Sequence, residues 1–107
     1  MALNKLGSIT VDGELVDLFL AQYANGSLAV VASVATTGEP FGKLSVNLVD
    51  EQLEEGEIAI KTYAENKSFA EAARRCGLFI DTRKRVKTGF VRVEIWRLAP
   101  AAAKASQ

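Results

Sequence analysis

"IAIKTYAENKSFAEAARRCG", residues 58–77, decides what kind of fold this chain takes. Its first residues alternate as a strand does, its middle is a charged corner, and the remainder carries a helix signature. Phe69, Ala73 and Cys76 recur at i, i+4 and i+7, which sets them on one apolar stripe. Asn66 or Ser68 can cap the start, and Ser68-Phe-Ala-Glu71 has the spacing of a capping box. Arg74 and Arg75 fall in the last turn, where cations complement the helix dipole. Gly77 supplies a left-handed stop. A helix of about three turns is marginal alone in water. It must therefore pack on the strands around it, with Phe69 as its anchor.

Strand signals flank the helix on both sides. Residues 7–11 read as a short strand, and Asp12-Gly13 is a strong two-residue hairpin signal. Residues 14–23 alternate only loosely and fit either strand or helix. Their place between Asp12-Gly13 and a second hairpin signal, Asn25-Gly26, selects strand. The β-branched and alanine-rich run 27–36 reads as a strand buried on both faces, ending in a turn at 37–40. Residues 41–48 alternate, placing Leu44, Val46 and Leu48 on one face and Lys43, Ser45 and Asn47 on the other. Residues 50–56 form an acidic loop anchored by Leu53, and 57–63 the next strand. Beyond the helix, 78–80 leads into a basic loop. Residues 90–98 close the chain with Val91, Val93 and Ile95 on one face and Arg92, Glu94 and Trp96 on the other, less buried face. This order predicts an α+β fold: a mainly antiparallel sheet of five to six strands with one short helix packed on a face. A single domain is expected over 1–98, with a disordered tail over 99–107.

Composition narrows the chemistry. The 107 residues, 49% apolar and 24% charged, suit one soluble domain with one core. No apolar run approaches the roughly 20 residues that span a bilayer, and no signal peptide is evident, so no membrane partner is expected. The single cysteine, Cys76, makes an internal disulfide impossible, and a reducing cytoplasm is the simplest setting. There is no histidine, which removes Ser-His-Asp and Cys-His nucleophilic devices and the commonest metal ligand. No cofactor or metal is expected. The net charge of zero conceals an asymmetry: residues 1–60 carry two cations and nine acids, residues 61–107 eleven cations and four acids. Asymmetry of this kind can mark a binding surface. The simpler reading is that the two signs meet across the sheet.

Several short motifs carry a resemblance. They are Gly26-Ser-Leu-Ala-Val30, Gly38-Glu-Pro-Phe41, Leu44-Ser-Val-Asn-Leu48, Ile60-Lys-Thr-Tyr-Ala-Glu-Asn66, Gly77 after the helix, and Thr88-Gly-Phe-Val91. Together they resemble a family of small uncharacterised bacterial proteins found on phages, plasmids and integrated elements, a domain of unknown function. That family shares a GEP-[FY] turn, a hydrophobic-x-VNL strand and an Asp/Lys-x-Tyr/Trp-x-Glu-Asn corner before its helix. The resemblance covers roughly residues 26–98. It implies a mobile-element origin and a cytoplasmic location, and it implies no reaction. Small proteins of such elements often bind host factors, including inhibitors of host defence such as anti-CRISPR proteins.

Four places stand out as candidate sites. The corner Tyr63, Glu65 and Asn66 lies at a helix start, where free N–H groups can hold an anion. The structural alternative is that Asn66 caps the helix itself, and the absence of glycine between 57 and 76 favours it over a phosphate cradle. The cations Arg83, Lys84, Arg85 and Lys87, with Arg92, can line a phosphate-contacting edge. Aromatic interleaving there is thin, and the same cations can meet the acidic residues Asp50, Glu51, Glu54, Glu55 and Glu57. Those acids read as a solvated loop. Cys76 reads as a small core residue, and Trp96 as an interface anchor or a core cover. The sequence thus predicts a non-enzymatic binding or regulatory module acting on a host protein, with nucleic-acid binding through residues 83–92 as the alternative. A homodimer anchored by Trp96 is also expected.

Overall fold

A computed structural model of the chain describes residues 4–48 and 53–100. Strands β1 (Asn4–Val11), β2 (Glu14–Gln22), β3 (Leu28–Val34) and β4 (Pro40–Lys43) follow one another as an antiparallel meander. Strands β5 (Glu57–Ile60), β6 (Phe79–Thr88) and β7 (Val91–Leu98) form a second antiparallel sheet in the order β5-β7-β6. Between β5 and β6 lie a 3-10 turn, Ala64–Asn66, and helix α1, Lys67–Arg75. The fold is α+β and mainly antiparallel, with seven strands among the described residues where five to six were expected. The additional one is β6, where a basic loop was expected. No helix among the described residues is long and apolar enough to cross a membrane.

Local chemistry explains the turns. Asp12 and Gly13 both have positive φ, 49° and 83°, the geometry of a tight hairpin whose twist matches that of its strands. Residues 14–22 are strand, as their position between two hairpin signals implied. Val16, Leu18 and Leu20 turn inward and meet Val34, Ala32 and Val30 of β3 across the ladder.

The two sheets are joined where β4 ends. The Leu44 N–H donates to the Val30 carbonyl of β3 (2.9 Å), while the Leu44 carbonyl accepts from the Lys61 N–H just beyond β5 (2.7 Å). A regular strand residue aims both groups at one neighbour; Leu44 divides them between two. The Val46 N–H then donates to Ala59 of β5 (3.0 Å). Ser45, 3% exposed, completes the crossing. Its hydroxyl accepts from the Val30 N–H at 2.9 Å and sits 3.0 Å from the Tyr23 hydroxyl. A side-chain oxygen therefore supplies the acceptor that Val30 needs while the backbone changes partner. This crossing corrects the expected 41–48 strand. Leu44 enters the main core, whereas Val46 and Leu48 pack on the opposite face against Ala59, Val93 and Ile95.

Helix α1 sits on the inner face of both sheets. Phe69, Ala70 and Ala73 are buried there with Leu18, Val30, Leu44, Ile58, Ile60 and Trp96, and Cys76 packs at the margin. Phe69 meets Phe41 edge-on with ring centroids 5.4 Å apart. Gly77, at φ 83°, ends the helix as expected. The expected caps do not form. Ser68 lies inside α1 and donates to Asp12 at 2.7 Å, and Asn66 occupies the N-cap position without a capping bond. The Asn66 amide instead donates to the Lys43 carbonyl at 2.7 Å, fastening the helix start to the end of β4.

Trp96 is buried, not on a less buried face as expected. The face of β7 that carries Glu94 and Trp96 looks toward α1, and Trp96 is only 1% exposed. Since β7 pairs with β5 on one side and β6 on the other, it is the central strand of its sheet and has no free edge. Val93 and Ile95, on its other face, are also buried. Residue 99, assigned to a disordered tail, still extends the β6–β7 ladder: the Ala99 N–H donates to Leu78 (2.9 Å). The rest of that tail from 101, and Asp50 and Glu51, lie outside the described residues.

Ser45→Ala removes an acceptor from a buried N–H and is expected to cost about 1–3 kcal/mol. Phe69→Ala is expected to cost about 3–5 kcal/mol, the range for a large core aromatic. Urea unfolding measures both, and a Ser45→Ala cost below about 0.5 kcal/mol, the scatter of neutral surface changes, would show that the crossing does not need its hydroxyl.

Candidate functional site

The basic segment is a strand with polar residues on both faces, which is why it carries no apolar alternation. Val86 alone packs inward, against the cluster of Ala59, Val93 and Ile95. A bulge interrupts β6 between Asp81, which faces Trp96, and Lys84, which faces Ile95. The two extra residues are held by side chains. The Thr82 hydroxyl donates to the Ile95 carbonyl at 2.5 Å, and the Arg83 N–H donates to Asp81 at 2.7 Å. Arg83 has φ 69°, a left-handed conformation that costs a non-glycine residue about 1–2 kcal/mol. The Asp81 contact offsets part of that cost.

The five cations divide into two groups. Lys84 is occupied: its ammonium bonds Glu57 at 2.6 Å and Glu54 at 2.9 Å. Glu57 is not a solvated loop carboxylate, as the sequence suggested, but has a side chain only 2% exposed, with Arg97 a further 3.7 Å away. Burial alone would raise its pKa. Lys84, the Glu54 N–H and Arg97 outweigh that and hold the carboxyl below its ordinary range. Arg85 is also occupied, in a two-pronged pair with Asp81 at 3.0 Å for each contact. The simpler reading of the charge asymmetry therefore applies to Lys84, whose partners come from the acidic half. Arg83, Lys87 and Arg92 are exposed and form no ion pair among the described residues.

Lys87 and Arg92 stand directly opposite each other at the far end of the β6–β7 hairpin. Like charges in that relation repel. One step beyond them, Thr88 pairs with Val91 across the turn residues Gly89 and Phe90. Gly89 has φ 59°, as a tight hairpin turn with glycine first requires. The second position belongs to Phe90, which is fully exposed. Residue 90 was expected to begin the closing strand, and Phe90 was not among the candidate site residues. The signal was present: a Gly-Phe pair between two strands is a turn, and a turn tip has nothing to pack against.

Trp96 belongs to a structural cluster. Its indole N–H donates to Glu94 at 3.0 Å, and Phe79 lies 5.6 Å away between ring centroids. The Arg74 guanidinium, at the end of α1, lies 5.3 Å above the indole and bonds both Glu94 (2.7 Å) and Asp81 (3.2 Å). The last turn of the helix is thereby fixed to β6 and β7. The side chains of the corner bond within the fold as well. Lys61 pairs with Glu65 and lies 5.7 Å over the Tyr63 ring, and Asn66 is committed to Lys43. The Cys76 thiol is pushed up by burial, consistent with a packing role. No group of three metal-ligating side chains occurs among the described residues. No family model, curated protein or solved structure matches the chain, so the resemblance to mobile-element proteins rests on its quoted motifs.

Asp81 tests the clamp. The Arg85 guanidinium, chiefly, holds its carboxyl at about 2, below the usual 3.8. A carboxyl depressed in the folded state stabilises it above the unfolded pKa, and this stabilisation fades as pH falls through the folded one. Between about pH 4 and pH 2 the wild type is expected to lose about 2 kcal/mol that Asp81→Asn has already lost at neutral pH. Urea midpoints of the two proteins should converge on acidification; a constant gap would show that Asp81 acts by packing alone.

Proposed function

We propose that the protein is a non-catalytic binding module that engages an acidic, apolar-pocketed surface of a partner protein through the tip of its β6–β7 hairpin. The observation that carries this reading is Phe90, fully exposed between the unpaired cations Lys87 and Arg92. An exposed phenylalanine adds nothing to the core, and two facing cations weaken the hairpin. Binding compensates for both: the ring fills an apolar pocket and the cations meet carboxylates at its rim. Aromatic side chains and arginine are the residue types enriched at protein interfaces.

The titratable groups support a non-catalytic role. Asp81 is committed to Arg85 and Arg74, Glu57 to Lys84, and Glu94 to Arg74 and the Trp96 indole. Each acts as a structural tie. The motif resemblance adds a setting, a mobile element whose product acts on a host factor, with defence inhibitors among the candidates.

Nucleic acid is the second reading, and the free cations favour it at the same place. With Lys84 and Arg85 occupied, however, only Arg83, Lys87 and Arg92 remain for phosphates. Three contacts give a salt slope of about −3 on duplex DNA, far short of a dedicated DNA binder.

A photo-reactive benzophenone side chain at position 90 is expected to capture a specific protein from a bacterial lysate. Excess wild type should compete for that capture, and Phe90→Ser should not, while retaining wild-type stability within about 0.5 kcal/mol. Equal competition by Phe90→Ser would remove the tip from the interface. Salt-sensitive micromolar binding to labelled oligonucleotides, lost in Lys87→Glu, would replace the protein partner with nucleic acid.

A further inference from the structure

The two sheet ends differ in how they meet solvent. The β6 edge is obstructed by its bulge, by the Arg83 N–H spent on Asp81, and by the Arg85 guanidinium lying on the Lys84 carbonyl at 2.9 Å. It also carries charge at 83, 84, 85 and 87. These are the devices that keep an edge from pairing. The β1 edge is different. β1 ends the four-stranded sheet, and from Leu6 to Val11 it reads Leu-Gly-Ser-Ile-Thr-Val, with no charge and no proline. Ser8 and Thr10 are exposed, and no described strand pairs with their outward side.

The hairpin register tells which backbone groups are free. Val11 and Glu14 close the two-residue Asp12-Gly13 turn, so Val11 and Ile9 aim their N–H and C=O at β2. Ser8 and Thr10 aim theirs outward. Their spacing is self-complementary. In an antiparallel two-fold pairing about Ile9, Ser8 of one copy lies opposite Thr10 of the other, and each pair exchanges two backbone hydrogen bonds. Only hydroxyl side chains then face each other on the outer surface, while Ile9, 7% exposed, stays within the core of its own copy.

The charges flanking this strand are also self-complementary. Lys5 lies at its beginning, 55% exposed beyond its 3.4 Å contact with Asp17. Asp12 and Glu14 lie at its end. Antiparallel pairing brings the cation of each copy to the acids of the other, whereas parallel pairing would set like against like. A two-fold contact uses one patch twice, so this pattern counts double.

We propose that β1 is a homodimer interface: two copies of this chain pair antiparallel through Ser8 and Thr10 and join their four-stranded sheets into one of eight strands. The interface is separate from the β6–β7 tip and leaves Phe90 free in both copies. The homodimer expected from the sequence thus has its contact at β1, and Trp96, buried beside α1, takes no part in it.

Sedimentation velocity on the full chain at about 100 µM, well above the dissociation constant of a micromolar dimer, is expected to give twice the monomer mass. Thr10→Pro removes one outward N–H without touching the β1–β2 ladder, a place where an edge tolerates proline. It is expected to give the monomer mass with an unchanged circular dichroism spectrum. If that variant loses its strand signal, Thr10→Lys, which sets a cation into each half of the pairing, is expected to give the same monomer. Amide exchange supplies the second readout: the Ser8 and Thr10 N–H groups should exchange at least tenfold more slowly at about 100 µM than at about 1 µM. A monomer at the higher concentration overturns the proposal. So does a dimer that survives both variants. Slow exchange at Ser8 and Thr10 that does not depend on concentration overturns it as well, since the edge would then be covered from within one chain.

Discussion

The crossing at Leu44 and Ser45 is the constraint on which the rest of the architecture depends. A four-stranded and a three-stranded sheet meet there with no helix between them, and the backbone must leave one ladder for the other inside the core. Every peptide group at such a point needs a partner, because an unpaired one costs about as much as a lost hydrogen bond. Leu44 meets the requirement by giving its N–H to β3 and its carbonyl to the segment after β5. Ser45 meets it by offering a hydroxyl where a backbone carbonyl would otherwise be needed, and Asn66 by covering the Lys43 carbonyl. The start of α1 is thus bound to the same few residues that join the sheets. Phe69 then enters the core formed where the sheets meet.

The far end of α1 is fixed by charge rather than by packing. Arg74 lies over Trp96 and holds Glu94 and Asp81, and Arg85 closes the same group from β6. This consumes ionisable groups that a sequence reading offers as candidates for chemistry or for binding phosphate. Two uncommitted cations, Lys87 and Arg92, and the exposed Phe90 ring are left at the β6–β7 tip, at the end of a hairpin whose base is clamped. A rigid base with an exposed, internally unneeded tip is a suitable design for a contact made with something else.

Much of the fold was legible in the chain. Asp12-Gly13 and Asn25-Gly26 bracketed β2 correctly because the positive φ of Asp12, Gly13 and Gly26 is a local requirement of the turns. Phe69, Ala73 and Cys76 marked the helix by their i, i+4, i+7 spacing, and Gly77, at φ 83°, marked its end. The failures share one cause, which is that polar groups found partners far away in sequence. β6 looked like a loop because an edge strand with charged residues on both faces has no apolar period. Trp96 looked exposed because Arg92 and Glu94 share its face, yet Arg74 from α1 neutralises Glu94 and roofs the indole. Asn66 and Ser68 had the composition of caps but bond Lys43 and Asp12, 23 and 56 residues away in sequence. Of the candidate site, the cations at 87 and 92 were legible and the role of Phe90 was not.

The crossing is expected to make the two sheets one cooperative unit, which native-state hydrogen exchange measures. The N–H groups of Val30, Leu44, Val46 and Lys61 bond across the crossing. If the sheets unfold together, these four amides exchange only through global unfolding, with the denaturant dependence of the whole protein. Exchange of Val46 and Lys61 through a smaller opening, with Val30 still protected, would instead show two sheets that merely lie side by side.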